Sequence, residues 1–183
     1  IDQVVEEAGP FDFILADLGV SSMQIDNPDR GFTYKSEGPL DLRLNPEKGE
    51  SAAERLKNAT EDELEGMLVE NSDEPYAAEI AQLIMKKLRQ GEMIDTTTKL
   101  YETIEEALSF IPEKERKGAV KKSCQRTFQA LRIDVNSEFE VLYALMEKLP
   151  SALKSGGKVA ILTFHSGEDR IVKKAFKEWK KAG

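Results

Sequence analysis

Cysteine and histidine each occur once in the 183 residues, as Cys124 and His165. A lone cysteine cannot close an internal disulfide, and one Cys with one His is too few ligands for a zinc site of ordinary composition. No apolar run approaches the roughly 20 residues that a bilayer span requires. Residues 1–20 also lack the basic start and small-residue cleavage site of a secretory signal. These absences set aside an oxidised scaffold, structural zinc and a helical membrane anchor, and the expectation is a soluble cytoplasmic protein. What is present, 40% hydrophobic and 33% charged residues, suits one globular core or one core with an insertion.

The net charge of -8 conceals a division along the chain. Residues 1–111 carry 10 basic and 25 acidic side chains, whereas 112–183 carry 16 and 9. A basic carboxyl-terminal part can approach a polyanion while the acidic remainder stays away, because steering follows the local field more than the total.

Phe11-Asp12-Phe13-Ile14-Leu15-Ala16 is a short, nearly continuous apolar run, the pattern of a strand covered on both faces in a parallel sheet. It ends at Asp17-Leu18-Gly19. A second run, Lys158 to Phe164, follows Ser155-Gly156-Gly157 and ends at His165-Ser166. Between the two runs the pattern is helical. Ser51 with Glu54 and Thr60 with Glu63 have capping-box spacing. Ala77, Ile80, Ala81, Ile84 and Leu88 fall at helix period, as do Leu100, Ile104, Ala107, Leu108 and Ile111. The spacing predicts one long helix from about Ser123 to about Leu149, with Phe128, Leu131, Val135, Phe139 and Leu142 on its stripe, and then a helix C-terminal turn at Gly156-Gly157. A last helix starts near Ser166, capped by its hydroxyl, and buries Ile171, Val172, Ala175, Phe176 and Trp179. Ser21 to Glu50 is the least regular stretch. Two strands are too few for a doubly wound sheet, which predicts that further strands come from upstream chain or from a partner chain. The sheet edge left without them invites self-association as a homodimer.

Ligands of open α/β sheets bind beyond the carboxyl ends of the strands, so Asp17 to Ser22 and His165-Ser166 are expected at one rim. Five further blocks stand in order: Asp17-Leu18-Gly19-Val20-Ser21-Ser22-Met23-Gln24; Arg30-Gly31-Phe32; Gly38-Pro39-Leu40-Asp41-Leu42-Arg43; Arg126 to Ile133 with Val135-Asn136-Ser137-Glu138; and Phe164 to Arg170. Together they resemble the MraW/RsmH family over about Phe11 to Trp179. That resemblance implies an S-adenosylmethionine-dependent enzyme that methylates the exocyclic N4 of a decoding-region cytidine in bacterial small-subunit 16S rRNA. The implied fold is α/β: a partial Rossmann-like class I methyltransferase core, residues 1–36 and 121–183, interrupted by an all-helical domain at 37–120 that helps to hold RNA. Two departures stand out. No glycine-rich cofactor loop precedes the first strand, and Gly167 replaces the family's usual leucine, which predicts a looser start to the last helix. The alternative reading, a non-catalytic substrate-binding or dimerising fragment, follows from the first departure.

A cytosine amino group is a poor nucleophile because its lone pair is delocalised into the ring, so an acceptor must hold its N–H groups while the reactants are placed together. The resemblance carries Asp17 and Gln24 over as cofactor contacts, with Asp17 nearest the reacting centre. Ser21 and Ser22 either donate to the ligand or shape the loop. His165 either acts directly or is a hydrogen-bonded structural group. Arg132 and Asn136 share a helix face with Phe128 and either project into the cleft or form a buried polar network. The stacking ring for the base is sought among Phe32, Tyr34 and Phe128. Arg116, Lys117, Lys121, Lys122 and Arg126, with Arg132, are the candidate RNA contacts, while the lysines of the last helix read as a solvated face. No metal is expected, since sulfonium transfer needs none, and neither DNA nor a membrane is an expected partner.

Overall fold

The computed structural model describes residues 1–182. Among them the chain order is α1 (Asp2–Ala8), β1 (Phe11–Asp17), α2 (Ser22–Ile25), a 3-10 turn (Pro28–Arg30), α3 (Ala52–Asn58), α4 (Glu61–Ser72), α5 (Ala77–Arg89), α6 (Thr97–Ala107), α7 (Glu113–Val135), α8 (Glu138–Ala152), β2 (Leu153–Leu162) and α9 (Ser166–Ala182). None of these helices is long and apolar enough to cross a membrane. Two compact units emerge, one of Ile1–Gly19 with Ser137–Gly183 and one of Val20–Asn136. Both divisions therefore differ from the expected boundaries after residues 36 and 120: the irregular stretch from Val20 and the whole of α7 group with the helical unit.

In the sheet unit, β1 and β2 pair in parallel, with Ile14 opposite Val159 and Asp17 opposite Leu162. Leu142, Met146 and Leu149 of α8 and Ile171 and Val172 of α9 form a core against which Ile14, Val159 and Ile161 pack. Side chains alternate across a strand, so Phe13 and Leu15 point the other way and are 58% and 59% exposed. Within the described residues, α8 and α9 cover one face of the strands. Phe176 is also more exposed than its place on the apolar stripe predicts.

The glycine pair has a different role from the one expected. α8 passes directly into β2 through an extended Leu153, and Gly156, with φ +78, lies within the strand. The register jumps there, from Phe11 opposite Leu153 to Phe13 opposite Lys158. A Cβ on Gly157 would lie 2.9 Å from the Lys154 carbonyl oxygen and 3.1 Å from that of Phe11. Gly156-Gly157 is therefore a bulge that lets strand backbones approach closely.

Gly167 is buried in the first turn of α9, and a Cβ there would meet Phe139 Cζ at 2.6 Å and His165 Cε1 at 3.2 Å. The Phe139 ring fills the volume that a longer side chain would need. Overpacking of this kind costs about 1–3 kcal/mol. Gly167→Leu is expected to lower the urea midpoint accordingly, and Phe139→Ala in the same chain to recover part of the loss. An unchanged midpoint in the single variant would contradict the assignment.

The helical unit follows its sequence pattern closely. Ser51 with Glu54 and Thr60 with Glu63 form the predicted capping boxes. Leu56, Leu64, Leu68, Ile80, Ile84, Leu100, Ile104, Leu108 and Leu131 build one buried core, with α7 packed on α3, α4 and α6. The expected long helix is two helices, because the chain breaks at Asn136 and at Ser137, which has φ +48. Asn136 Nδ2 donates to the Leu42 and Arg132 carbonyls, both at 2.8 Å, and its Oδ1 accepts from the Leu44 N–H at 2.7 Å.

Similar side-chain-to-backbone bonds order the stretch before α3. Arg30 Nη2 donates to the Arg43 and Leu44 carbonyls, each at 2.9 Å. Arg43 forks onto both oxygens of Asp41 at 2.8 Å, which holds the Asp41 carboxyl below its ordinary value. Gly31, with φ +72, brings its backbone against Pro39, whose carbonyl oxygen would lie 2.2 Å from a Cβ there.

Cys124 is fully buried in this unit, and burial pushes its thiol up to about 12. The thiolate is the reactive form. At pH 8 the native chain is expected to be silent to a disulfide thiol reagent and to release one equivalent only on unfolding. Prompt release from the folded chain would overturn this.

Candidate active site and nucleic-acid interface

The carboxyl ends of the two parallel strands carry the candidates of the sheet unit. Asp17 closes β1 with an exposed side chain, and the next residue continues the ladder as Leu18 N–H donates to the Leu162 carbonyl at 3.3 Å. His165 follows β2 and sits at the entry to α9, where its carbonyl accepts the Asp169 N–H. The helix therefore starts one position earlier than a Ser166 cap requires, with His165 in the cap position. The His165 side chain is 10% exposed and its Nε2 lies 3.3 Å from Glu168 Oε1. Glu168 in turn accepts the Phe164 N–H at 2.8 Å, and the Phe139 ring centroid stands 6.0 Å from that of the imidazole. Asp17 and His165 thus end adjacent strands, as the rim argument expects. Glu138 and Glu168, which cluster with His165, stand in the sequence blocks quoted above but are given no site role there. The three-residue spacing from His165 to Glu168 at a helix start was a signal, whereas nothing local pointed to Glu138.

The remaining cofactor candidates belong to the helical unit. Ser21 and Gln24 form a capping box on α2, with Ser21 N–H donating to Gln24 Oε1 at 2.9 Å and Gln24 N–H to Ser21 Oγ at 3.3 Å. Ser22 opens that short helix. These polar groups shape the turn, and among the cofactor candidates the exposed Asp17 carboxylate is the group that best fits an external donor such as a ribose hydroxyl or an ammonium group.

Asn136 saturates its amide on backbone groups, as described above, and is a positioning residue for the Leu42–Leu44 loop. The buried polar network that the sequence offered as one alternative joins helix to loop. Arg116 behaves in the same way, because Nε donates to the Ile111 carbonyl at 2.9 Å and Nη2 to that of Ser109 at 2.7 Å, closing the turn between α6 and α7.

The other α7 residues form a graded surface. An α-helix turns about 100° per residue, so Lys114, Lys117, Lys121, Gln125, Phe128 and Arg132 fall within about 80° of one another on one face. Lys114, Lys117 and Lys121 are exposed. Lys122 is exposed off this face, and Arg126 is half-buried. Further along, Gln125, Phe128, Gln129 and Arg132 line a cavity of about 230 Å³ together with Phe32, Tyr34 and Leu42. Tyr34 stacks on Tyr101 with centroids 5.7 Å apart and meets Phe128 at 5.5 Å. Burial raises the Tyr34 phenol above its ordinary value, so it stays protonated at neutral pH. All three rings considered for stacking therefore line one cavity. Lys114 was missed, although its i, i+3 and i+7 relation to Lys117 and Lys121 was visible.

Comparison with known proteins bears on both units. The chain is 68% identical over 183 residues to ribosomal RNA small subunit methyltransferase H 1 of Lachnoclostridium phytofermentans, covering 100% of this chain and 50% of that protein. It is 67% identical over 183 residues to the protein of the same name from Agathobacter rectalis, covering 100% of this chain and 52% of that protein. It is 46% identical over 171 residues to ribosomal RNA small subunit methyltransferase H of Thioalkalivibrio sulfidiphilus, covering 93% of this chain and 52% of that protein. The chain spans about half the length of the curated relatives it matches. The model of the MraW methylase family matches residues 1–183, and the chain belongs to that family.

Proposed function

We propose that the protein containing this chain methylates the exocyclic N4 of a decoding-region cytidine in small-subunit 16S rRNA, with S-adenosylmethionine as donor, on a class I methyltransferase core. The observation that carries the reading is the lysine face of α7 continuing into the cavity lined by Phe32, Tyr34 and Phe128. Regularly spaced cations beside an aromatic-lined hollow suit a single-stranded polyanion with an extruded base, since phosphates pair with lysines and every base has a face to stack. The helical unit is accordingly the RNA-holding part. Bound S-adenosylmethionine supplies an electrophilic sulfonium methyl group. Asp17 accepts an N–H of the cytosine amine at its exposed carboxylate, which draws electron density back onto the nitrogen, and His165 shapes the adjoining strand end.

Binding of a fluorescent single-stranded decoding-region RNA across a salt series tests this. Each lysine that neutralises a phosphate contributes about 0.7 to the slope of log affinity against log salt for a single strand. Lys114→Glu, Lys117→Glu and Lys121→Glu together are expected to flatten the slope by about 2. A slope equal to that of the unaltered protein would remove the lysine face from the interface.

A second reading is that this chain alone binds substrate without transferring a methyl group. Calorimetric titration of S-adenosylmethionine into the 183-residue chain separates the two. Saturable binding that Asp17→Ala removes supports a cofactor pocket within the chain, and silence from folded chain supports the second reading.

A further inference from the structure

We propose that Glu138, His165 and Glu168 form a site for a divalent transition ion of the zinc class, which ties the first turn of α8 to the junction between β2 and α9. One ligand atom from each residue lies within 4.8 Å of the other two. The lone histidine rules out a site built from Cys and His, but carboxylates supply the missing donors. Glu168 is 4% exposed, and both ring nitrogens of His165 are buried without a hydrogen bond. A buried imidazole with neither nitrogen paired carries a desolvation cost that a metal bond removes.

The spacing also fits a shared ion. His165 Nε2 and Glu168 Oε1 stand 3.3 Å apart without hydrogen-bond geometry. Zinc bonds of about 2.0–2.1 Å give a tetrahedron with edges of about 3.3–3.4 Å. The second Glu168 oxygen accepts the Phe164 N–H at 2.8 Å, an outer bond of the kind that orients a ligating carboxylate. Phe139 walls one side of the imidazole. One nitrogen and two carboxylate oxygens suit zinc or manganese rather than a soft thiolate-seeking ion. Three protein ligands leave a fourth position for water. The ion is structural, so the inference stands apart from the proposed methyl transfer.

Zinc chloride titrated calorimetrically into the chelator-stripped intact chain is expected to show one saturable site. At a hundredfold excess over Kd the melting temperature should rise by about 5–10 °C, reversibly with chelator. Glu138→Gln and His165→Asn should each weaken binding at least tenfold. Should His165→Asn fail to fold, Glu138→Gln, at a half-buried position, still decides. No saturable binding by the unaltered chain would mean that protein cations already balance the carboxylates, and would overturn the proposal. Undiminished affinity in Glu138→Gln would place the ion elsewhere and overturn it equally.

Discussion

Asp17→Ala, in the intact protein acting on small ribosomal subunits, is expected to lower kcat for methyl transfer by about a hundredfold or more, the scale on which misplacing reacting groups is felt. The carboxylate is exposed at the end of β1, and its neighbour Leu18 keeps the strand ladder intact by bonding to the Leu162 carbonyl. Removing it therefore leaves no buried group unpaired, and the melting temperature should move by less than about 2 °C, as for surface substitutions in general. The contrast between a large rate effect and a small stability effect distinguishes a reacting-centre residue from a structural one. Asp17→Asn retains an acceptor oxygen but not the charge, and is expected to fall between the two. Methyl transfer within threefold of the unaltered enzyme would dismiss Asp17 from the reacting centre.

Much of the helical unit was readable because its signals are local. The period of Ile80, Ala81 and Ile84 and the serine and threonine caps of α3 and α4 act within one or two turns, and all of them reappear in the structure. The features that were misread depend on distant chain. The apolar stripe continues in phase from Leu131 through Phe139 to Leu142, so periodicity alone predicts one helix across the break. The interruption becomes intelligible only from Asn136 and its partners Leu42 and Leu44, 94 and 92 residues away. The bulge at Gly156-Gly157 likewise exists because β1 lies alongside, and Gly167 is accounted for by the Phe139 ring. Among the site residues, the strand-end placement of Asp17 and His165 was visible from apolar runs that stop at polar residues. The association of Glu138 with His165 was not, since its residues come from separate elements.

Asn136 also carries the second large effect. Its amide meets three backbone groups: the Leu42 and Arg132 carbonyls and the Leu44 N–H. Alanine would strip all three at once. Leu42 is buried and holds φ +63, a conformation that a branched side chain adopts only when its surroundings impose it. Net hydrogen bonds are worth about 0.5–1.5 kcal/mol each, and a buried group left unpaired costs about 1–3 kcal/mol. Asn136→Ala is accordingly expected to cost about 2–4 kcal/mol and about 5–10 °C in melting temperature for a chain of this size. Because Leu42 lines the cavity with Phe32, Tyr34 and Phe128, the same change should weaken binding of single-stranded RNA while leaving its salt slope unchanged, since no phosphate contact is lost. Asn136→Asp keeps the acceptor for Leu44 but loses the donor for Leu42, so it should recover part of the stability and little of the affinity. A melting temperature within 2 °C of the unaltered chain would show that the loop holds its shape without Asn136.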